Sequence, residues 1–202
     1  MASRRRVLRT AVLVVAASPG CISIEEREPG ADTLPGLDDD NTEEENDEPD
    51  GDEQSSRDEP VDERVRDYER AVHEQVNEVR QENDRESLAF NDDIAAVARE
   101  HSVDMAERGY FSHESPEGEG PADRMEAFFP GECGQIGENI ANVSLRPDDA
   151  AEAVADRIVS GWMDSPGHRE NLRREVFDAQ GIGVAVTEDD SVLATQKFCD
   201  ER

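Results

Sequence analysis

The side chains that could do chemistry lie in three short segments that are far apart in the chain. The segments read FSH at 111–113, GEN at 137–139 and SPGHRENL at 165–172, and they contain His113, Glu138 and His168. Each follows or precedes a periodic segment, and loops between packed elements often carry polar functional groups. Two neutral imidazoles and a carboxylate can bind Zn²⁺ or another divalent metal and leave a position open for water. If folding brings the three side chains together, they could hold such a metal.

The chemistry of these side chains has more than one interpretation. A bound metal could polarise a carbonyl or activate water, which would make the protein a metal-dependent hydrolase acting on peptide or glycan. No His-Glu-x-x-His helix supports that interpretation. Alternatively, the histidines donate to backbone carbonyls, Glu138 joins two loops, and the site binds a ligand without transforming it. We therefore assign no catalytic residue.

Other histidines and nucleophiles have weaker support from the sequence. Ser112 or Ser115 could be combined with one of these two histidines and Glu138 into a serine hydrolase, but the chain has no Gly-x-Ser-x-Gly turn. His73 and His101 fall within helical patterns, and we expect them on helix faces rather than among ligands.

The N-terminal 21 residues have the features of an export signal. Arginines at 4–6 precede an uncharged run at 11–17, which is shorter than the ~18–20 apolar residues of a membrane span. A basic start, a short apolar stretch and small residues predict export. The arginines followed by Val7 and Leu8 resemble a twin-arginine signal. Cys21 after Gly20 predicts a lipid anchor at the cell surface, the alternative being a plain cleaved signal.

The three cysteines bear on the same question, because an odd number requires an explanation in an exported protein. If Cys21 is lipidated or removed, Cys133 and Cys199 remain as a possible disulfide in an oxidising compartment. A bridge closing so long a loop would stabilise the fold by about 4 kcal/mol on the loop-entropy model. Two free thiols are the alternative.

The charge of the chain excludes one class of partner. It has 51 acidic and 21 basic residues, a formal net charge of −30, and a single lysine, Lys197. Like charges on a folded domain repel one another, and 1 M salt shortens the Debye length to about 3 Å. We interpret the composition as adaptation to high salt, as in a halophilic archaeon. No basic stripe is present to displace phosphate counterions, so we expect no nucleic-acid partner.

The chain divides into three parts: the signal at 1–21, an acidic disordered tether at 22–62 and one domain at 63–202. The tether has too few apolar residues to offset chain entropy. In the domain, periodic apolar residues predict helices at 63–83, from Asn91 to Gly109, at 121–129, and from Pro147 to just before Ser165. Alternating runs at 181–186 and 192–198 predict a hairpin, and 136–143 a third strand. We therefore predict an α+β fold with the sheet covered on both faces.

Six motifs, taken in order, resemble those of the CAP or SCP-like superfamily, which includes cysteine-rich secretory proteins, antigen 5 and pathogenesis-related proteins. They read LAFN at 88–91, AREHS at 98–102, FSH at 111–113, GENIA at 137–141, WMDSPGHRENL at 162–172 and GIGV at 181–184. The resemblance covers about residues 70–199 and is closest to the prokaryotic branch. It implies a three-layer α-β-α sandwich with a central antiparallel sheet.

The resemblance also implies that His113, Glu138 and His168 converge in a cleft, where they would be the metal ligands. Some members of the family have a second glutamate on the helix before the second histidine, and this chain has Gly161 at the matching position. The matching motifs further imply supporting roles for Ser112, Asn139, Arg169 and Asn171. We expect Asn139 to satisfy backbone groups and Arg169 to pair with a carboxylate.

These observations favour an extracellular, membrane-anchored binding or interaction module. Its partners would be a small molecule, a lipid or a cell-envelope component, with the membrane reached through the lipid anchor. We expect a monomer, and zinc or another divalent metal as the only cofactor. The metal-dependent hydrolase remains the alternative.

Overall fold

A five-stranded sheet forms the middle layer of the computed structural model, which describes residues 24–26 and 62–201. The elements in chain order are β1 Ile24–Glu26, α1 Glu63–Glu82, β2 Ala89–Phe90, α2 Asp92–Arg108, α3 Pro121–Phe128, β3 Cys133–Ser144, α4 Ala151–Asp164, α5 Pro166–Arg173, β4 Ala179–Val186 and β5 Ser191–Glu201. The strand order is β1-β3-β5-β4-β2. All pairs are antiparallel except β2 with β4. Helices on both faces confirm the predicted α+β sandwich.

One face of the sheet is covered by α1 and α4. The stripe that predicts α1 is buried there, with Val72 and Val76 fully covered. Trp162 of α4 packs in the same cluster and donates its Nε1–H to the Ile140 carbonyl at 3.0 Å. Burying both helix stripes against the sheet removes apolar surface from water, which is the main force that holds the layers together.

The opposite face is covered by α2 and α3, and α2 lies unusually close to β4. A Cβ on Gly181 would lie 2.2 Å from the backbone nitrogen of Ala95, and one on Gly183 would lie 1.9 Å from that of Arg99. These glycines of the GIGV motif therefore permit a backbone-to-backbone approach that any side chain would block. Ser102 secures the contact by donating to the Gly183 carbonyl at 2.9 Å.

The predicted ends of α2 are confirmed. Asn91 is its N-cap, and its side chain accepts hydrogen bonds from the backbone of Asp93 and Ile94. Gly109 ends the helix in the left-handed conformation at φ 67°, where glycine has no steric penalty.

Three local features differ from the prediction. The helix expected from Pro147 begins at Ala151, because Asp148 has a positive φ of 67° and Asp149 accepts from the Arg146 backbone in a turn. Helix α5, which carries His168, was not among the predicted elements. The strand Ile24–Glu26 lies within the segment predicted as a tether and pairs with β3.

The disulfide between Cys133 and Cys199 is confirmed, with the two Cα atoms 5.3 Å apart. It joins the first residue of β3 to β5 at one end of the sheet. Within residues 24–26 and 62–201, no helix has the length and apolar character to cross a membrane. The export signal and Cys21 lie outside the described residues.

Candidate functional site

Two consecutive residues of β3, Glu138 and Asn139, hold the two histidines from opposite faces of the sheet. Successive side chains of a strand point to opposite sides. Glu138 therefore reaches His113, in the loop after α2, while Asn139 reaches the start of α5 and the backbone of His168. The GEN motif thus positions both halves of the site.

On the first face, the Glu138 carboxylate is fully buried among cations. Its Oε1 accepts from His113 Nδ1 at 2.7 Å. Its Oε2 lies 2.6 Å from Lys197 Nζ and 3.3 Å from Arg124 Nη2. Lys197 is the residue of β5 that pairs with Glu138 in the sheet and is itself fully buried. The only lysine of the chain is therefore used as an internal counter-charge.

These charges determine the protonation of the site. Burial by itself would raise the pKa of Glu138, but Lys197, the His113 hydrogen bond and Arg124 together hold that pKa well below its usual range. Burial lowers the pKa of Lys197, and the Glu138 carboxylate opposes that shift. Glu138 is therefore an ionised acceptor at neutral pH, so His113 carries its Nδ1 proton toward the carboxylate.

The sequence interpretation missed His101 as a member of this cluster. It lies on α2, fully buried, with Nε2 3.1 Å from the Ser112 carbonyl and 3.9 Å from Glu138 Oε1. Burial lowers the pKa of His101 to about 4, outweighing the opposite effect of Glu138. A neutral His101 that donates to Ser112 anchors the loop preceding His113. The sequence feature that could have identified His101 is its position on the buried stripe of α2.

On the second face, neutral amides replace the charges. Asn139 Nδ2 lies 3.3 Å from the His168 carbonyl and 3.1 Å from Gln196 Oε1. Asn171 donates to the Glu138 carbonyl at 3.2 Å and to Asn139 Oδ1 at 3.0 Å. These contacts fix the first turn of α5 against β3, and Asn139 contacts a backbone group as expected.

The two imidazoles face each other across the edge of the sheet, with ring centroids 6.3 Å apart at an interplanar angle of 62°. His113 is almost buried and His168 is half-buried. Burial and the neighbouring His113 both lower the pKa of His168, so its imidazole is neutral near pH 7. The site therefore presents two imidazoles, one of them oriented by a carboxylate.

The donor set fits a metal held by two residues rather than three. A metal ~2.0–2.1 Å from one nitrogen of each ring, with a tetrahedral angle between them, places the centroids roughly 5 Å apart. The observed 6.3 Å is longer, so the two rings would have to approach each other to bind the metal. Glu138 leaves His113 Nε2 as the nitrogen that can bind. Among the described residues, no group of three or more His, Cys, Asp or Glu side chains is arranged to hold a metal.

The remaining predicted residues have local roles. Ser112 Oγ accepts from the Glu114 backbone, and Ser115 Oγ accepts from two backbone amides in the same loop. Arg169 donates to the Met163 carbonyl at 2.7 Å. Its expected carboxylate partner is not found among the described residues. These contacts hold the chain in place next to His113 and His168.

This chain is similar to known proteins in sequence. A family model described as the cysteine-rich secretory protein family, CAP, matches residues 73–198. The uncharacterized protein YkwD of Bacillus subtilis is 34% identical over 131 residues, which are 65% of this chain and 46% of YkwD. The family match includes all three cleft residues, because they lie within the matched region.

Two solved structures share the fold. An extracellular protein with an SCP domain from Bacillus anthracis is 32% identical with a TM-score of 0.55, covering 68% of this chain and 41% of that one. An outer surface protein from Borrelia burgdorferi is 20% identical with a TM-score of 0.60, covering 68% of this chain and 96% of that one. The latter likeness shows the fold alone. The chain spans less than half the length of YkwD and of the Bacillus anthracis protein.

Proposed function

Because the chain belongs to the cysteine-rich secretory protein (CAP) family, we propose that it is an extracellular binding module whose cleft takes a divalent metal ion or a small ligand between His113 and His168. A relative of known structure from Bacillus anthracis is described as an extracellular protein, which supports the location. Anchoring to the membrane through Cys21 is part of the proposal, as is an envelope component as the natural partner.

The observation that carries the proposal is the imidazole of His113, oriented by the Glu138 carboxylate, with the imidazole of His168 6.3 Å away between ring centroids. A carboxylate that accepts the second ring proton fixes the tautomer and raises the basicity of a ligating histidine. Orienting His113 in this way has a cost, since the carboxylate must be buried. The chain meets that cost with Lys197 and Arg124.

His113 and His168 would hold the metal, and Glu138 would support His113 from behind. A bound divalent ion would supply a Lewis acid that attracts carbonyl or carboxylate oxygens of a ligand. Direct ligation would require Glu138 to give up either the His113 hydrogen bond at Oε1 or the Lys197 and Arg124 contacts at Oε2, which leaves a buried donor unpaired. We therefore favour the indirect role for Glu138.

Zinc titration of the mature chain in high-salt buffer tests the proposal. His113→Ala and His168→Ala should each lower the affinity for Zn²⁺ at least tenfold, because each removes one of two protein ligands. The matched control is His73→Ala, since His73 is half-buried on α1, where it contacts Asn77 and Gln180. Equal uptake by all four proteins would remove the metal from the proposal.

The ligand and the hydrolase alternative need separate measurements. Mass spectrometry of molecules that co-purify with the chain from native membranes should recover a small molecule or lipid that His168→Ala fails to retain. A screen against peptide and glycan substrates should find no turnover that depends on both histidines. Turnover abolished by either alanine variant would replace the binding module with the metal-dependent hydrolase.

A further inference from the structure

Three arginines lie together at α5 with no acidic partner among the residues that the structure describes. Arg169, Arg173 and Arg174 line an open depression of about 320 Å³, and we call them the arginine surface. Within the described part of the chain none forms an ion pair, and their recorded acceptors are uncharged: the Met163 carbonyl, Asn83 Oδ1 and Gln135 Oε1. Glu170 lines the same depression, which leaves an excess of positive charge there.

Several other arginines of the domain pair with carboxylates. Arg99 forms a two-pronged ion pair with Glu69, Arg108 pairs with Glu117, and Arg157 pairs with Asp149. A guanidinium is built for such pairing with carboxylates. In a chain with 51 acidic residues, three adjacent guanidiniums with neutral partners therefore present a surface that attracts carboxylates from elsewhere.

The strand β1 leads the chain directly to this surface. Its last residue, Glu26, pairs with Gln135 of β3, and the side chain of Gln135 accepts from Arg174 at 3.1 Å. The chain that follows β1 therefore starts beside the arginine surface. Residues 27–61, which we call the acidic segment, contain fifteen acidic residues and two arginines.

The acidic segment is long enough to make this contact and still return to the start of α1. The first turns of α1 can be located relative to β3 through three contacts. Glu69 of α1 accepts a hydrogen bond from the backbone of Val184 in β4. Val184 pairs with Ala194 of β5, and Ala194 pairs with Ala141 of β3. From Gln135 to Ala141 the distance along β3 is about 20 Å. The 35 residues of the segment span over 100 Å when extended, roughly 3.3 Å per residue.

We propose that the acidic segment docks on the arginine surface. Its contact with α5 would continue the contact that β1 makes with the edge of the sheet. The attraction is between guanidinium and carboxylate groups, and the short connection to β1 keeps the carboxylates at an effective concentration of the order of millimolar. Free anions, a second copy of the chain or anionic lipid headgroups would have to compete with that concentration. The contact weakens as salt screens it.

Carbodiimide cross-linking tests the contact in the full mature chain. The reagent joins a carboxylate to an amine without a spacer, and the only lysine, Lys197, is fully buried. Arg173→Lys therefore introduces one accessible side-chain amine on the arginine surface. Mass spectrometry should find it joined to carboxylates of residues 27–61, with a yield at least fivefold lower in 1 M salt. Arg173 is exposed, so the fold should tolerate the change.

The matched control is Arg108→Lys, which places an amine beside Glu117 on another exposed surface. It should link to Glu117 or Asp104 and not to the acidic segment. Cross-links of the Arg173→Lys chain that reach only Glu170 or Glu175 would overturn the proposal. So would links found only between isotopically distinct copies, since these would indicate a dimer contact.

A second measurement keeps the test independent of the introduced lysine. In the unaltered chain, the triple change Arg169→Gln, Arg173→Gln and Arg174→Gln should alter how the free energy of unfolding depends on salt. Once the acids at 38–45 are replaced by Asn and Gln, the same triple change should no longer alter that salt dependence. Additive effects of the two sets of changes would contradict docking. Weaker binding of the triple-arginine variant to vesicles of anionic phospholipid, together with additive effects, would assign the surface to lipid headgroups instead.

Discussion

The two histidines of the cleft are held by opposite kinds of chemistry. His113 is oriented by a buried carboxylate that depends on Lys197 and Arg124, whereas His168 sits on a turn fixed by the amides of Asn139 and Asn171. Buried charges are stable only as a complete set, while amides lose one hydrogen bond at a time. Substitutions on the His113 side should therefore lower the stability strongly and in a pH-dependent way, and substitutions of the amides on the His168 side should lower it moderately and with little change between pH values.

The largest effect should follow from breaking the buried ion pair. Lys197→Met leaves the Glu138 carboxylate without its closest cation, and removing one partner of such a pair costs about 3–5 kcal/mol. Denaturant unfolding should show that loss in the free energy of unfolding. The double variant Glu138→Gln/Lys197→Met should recover part of it, because no unpaired charge remains. A double variant less stable than Lys197→Met alone would show that the pair is not the cause.

The pH dependence on the His113 side should come next in size. The folded-state pKa of His101 is about 4 and its unfolded value is about 6.5, so the unfolded chain binds more protons between these values. This contribution to stability is complete above pH 6.5, is lost as the pH falls toward 4, and amounts to roughly 3 kcal/mol. Glu138, with its lowered pKa, adds a further loss below about pH 4.3.

Unfolding free energies measured from pH 7 to 4 check this expectation. His101→Gln should flatten the profile between pH 6.5 and 4.5, where the carboxylate of Glu138 is still ionised in both states. His73→Gln is the comparison: burial lowers the pKa of His73 as well, but by less than that of His101, so this variant should flatten the profile less. If the unfolding free energy of His101→Gln depends on pH as steeply as that of the wild type, burial does not lower the pKa of His101 in the folded protein.

The smallest effect should come from the amide side. Asn139→Ala removes the contacts with the His168 carbonyl and Gln196 and leaves Asn171 with one partner fewer, at a cost of about 1–3 kcal/mol. The loss should change little between pH 7 and pH 5, because Asn139 contacts the backbone carbonyl of His168 and not its imidazole. A loss that grows on acidification would show that the two halves are coupled through β3.

Parts of this arrangement could be predicted because they depend on local rules. The apolar stripe of α1, the Asn91 cap and the Gly109 end follow from side-chain spacing and backbone freedom, and the structure has them at the predicted positions. Counting cysteines in an exported chain offered the Cys133–Cys199 disulfide as one of two possibilities, and the structure has it. The start of α4 did not follow, because the Asp148 turn competes locally with the helix that Pro147 suggests.

Other parts could not be predicted from local patterns. Nothing in the spacing of Lys197 indicates that a lysine in a strand is fully buried, since its counter-charge Glu138 lies 59 positions earlier and meets it only through strand pairing. The same holds for His101. Its burial could be predicted from the apolar stripe of α2, but its contact with Glu138 could not, because Glu138 belongs to β3. The arginine surface likewise combines α5 with the edge of β3.

By itself, the sequence determined most of the helices and strands, offered Cys133 and Cys199 as a possible pair, and identified the three motifs that contain His113, Glu138 and His168, because these depend on neighbours a few residues apart or on residue type. Only the tertiary structure decided what Glu138 and Asn139 do. The alternation of β3 sends one side chain into a cluster of charges and the other into a cluster of amides, and the partners in both clusters come from distant parts of the chain.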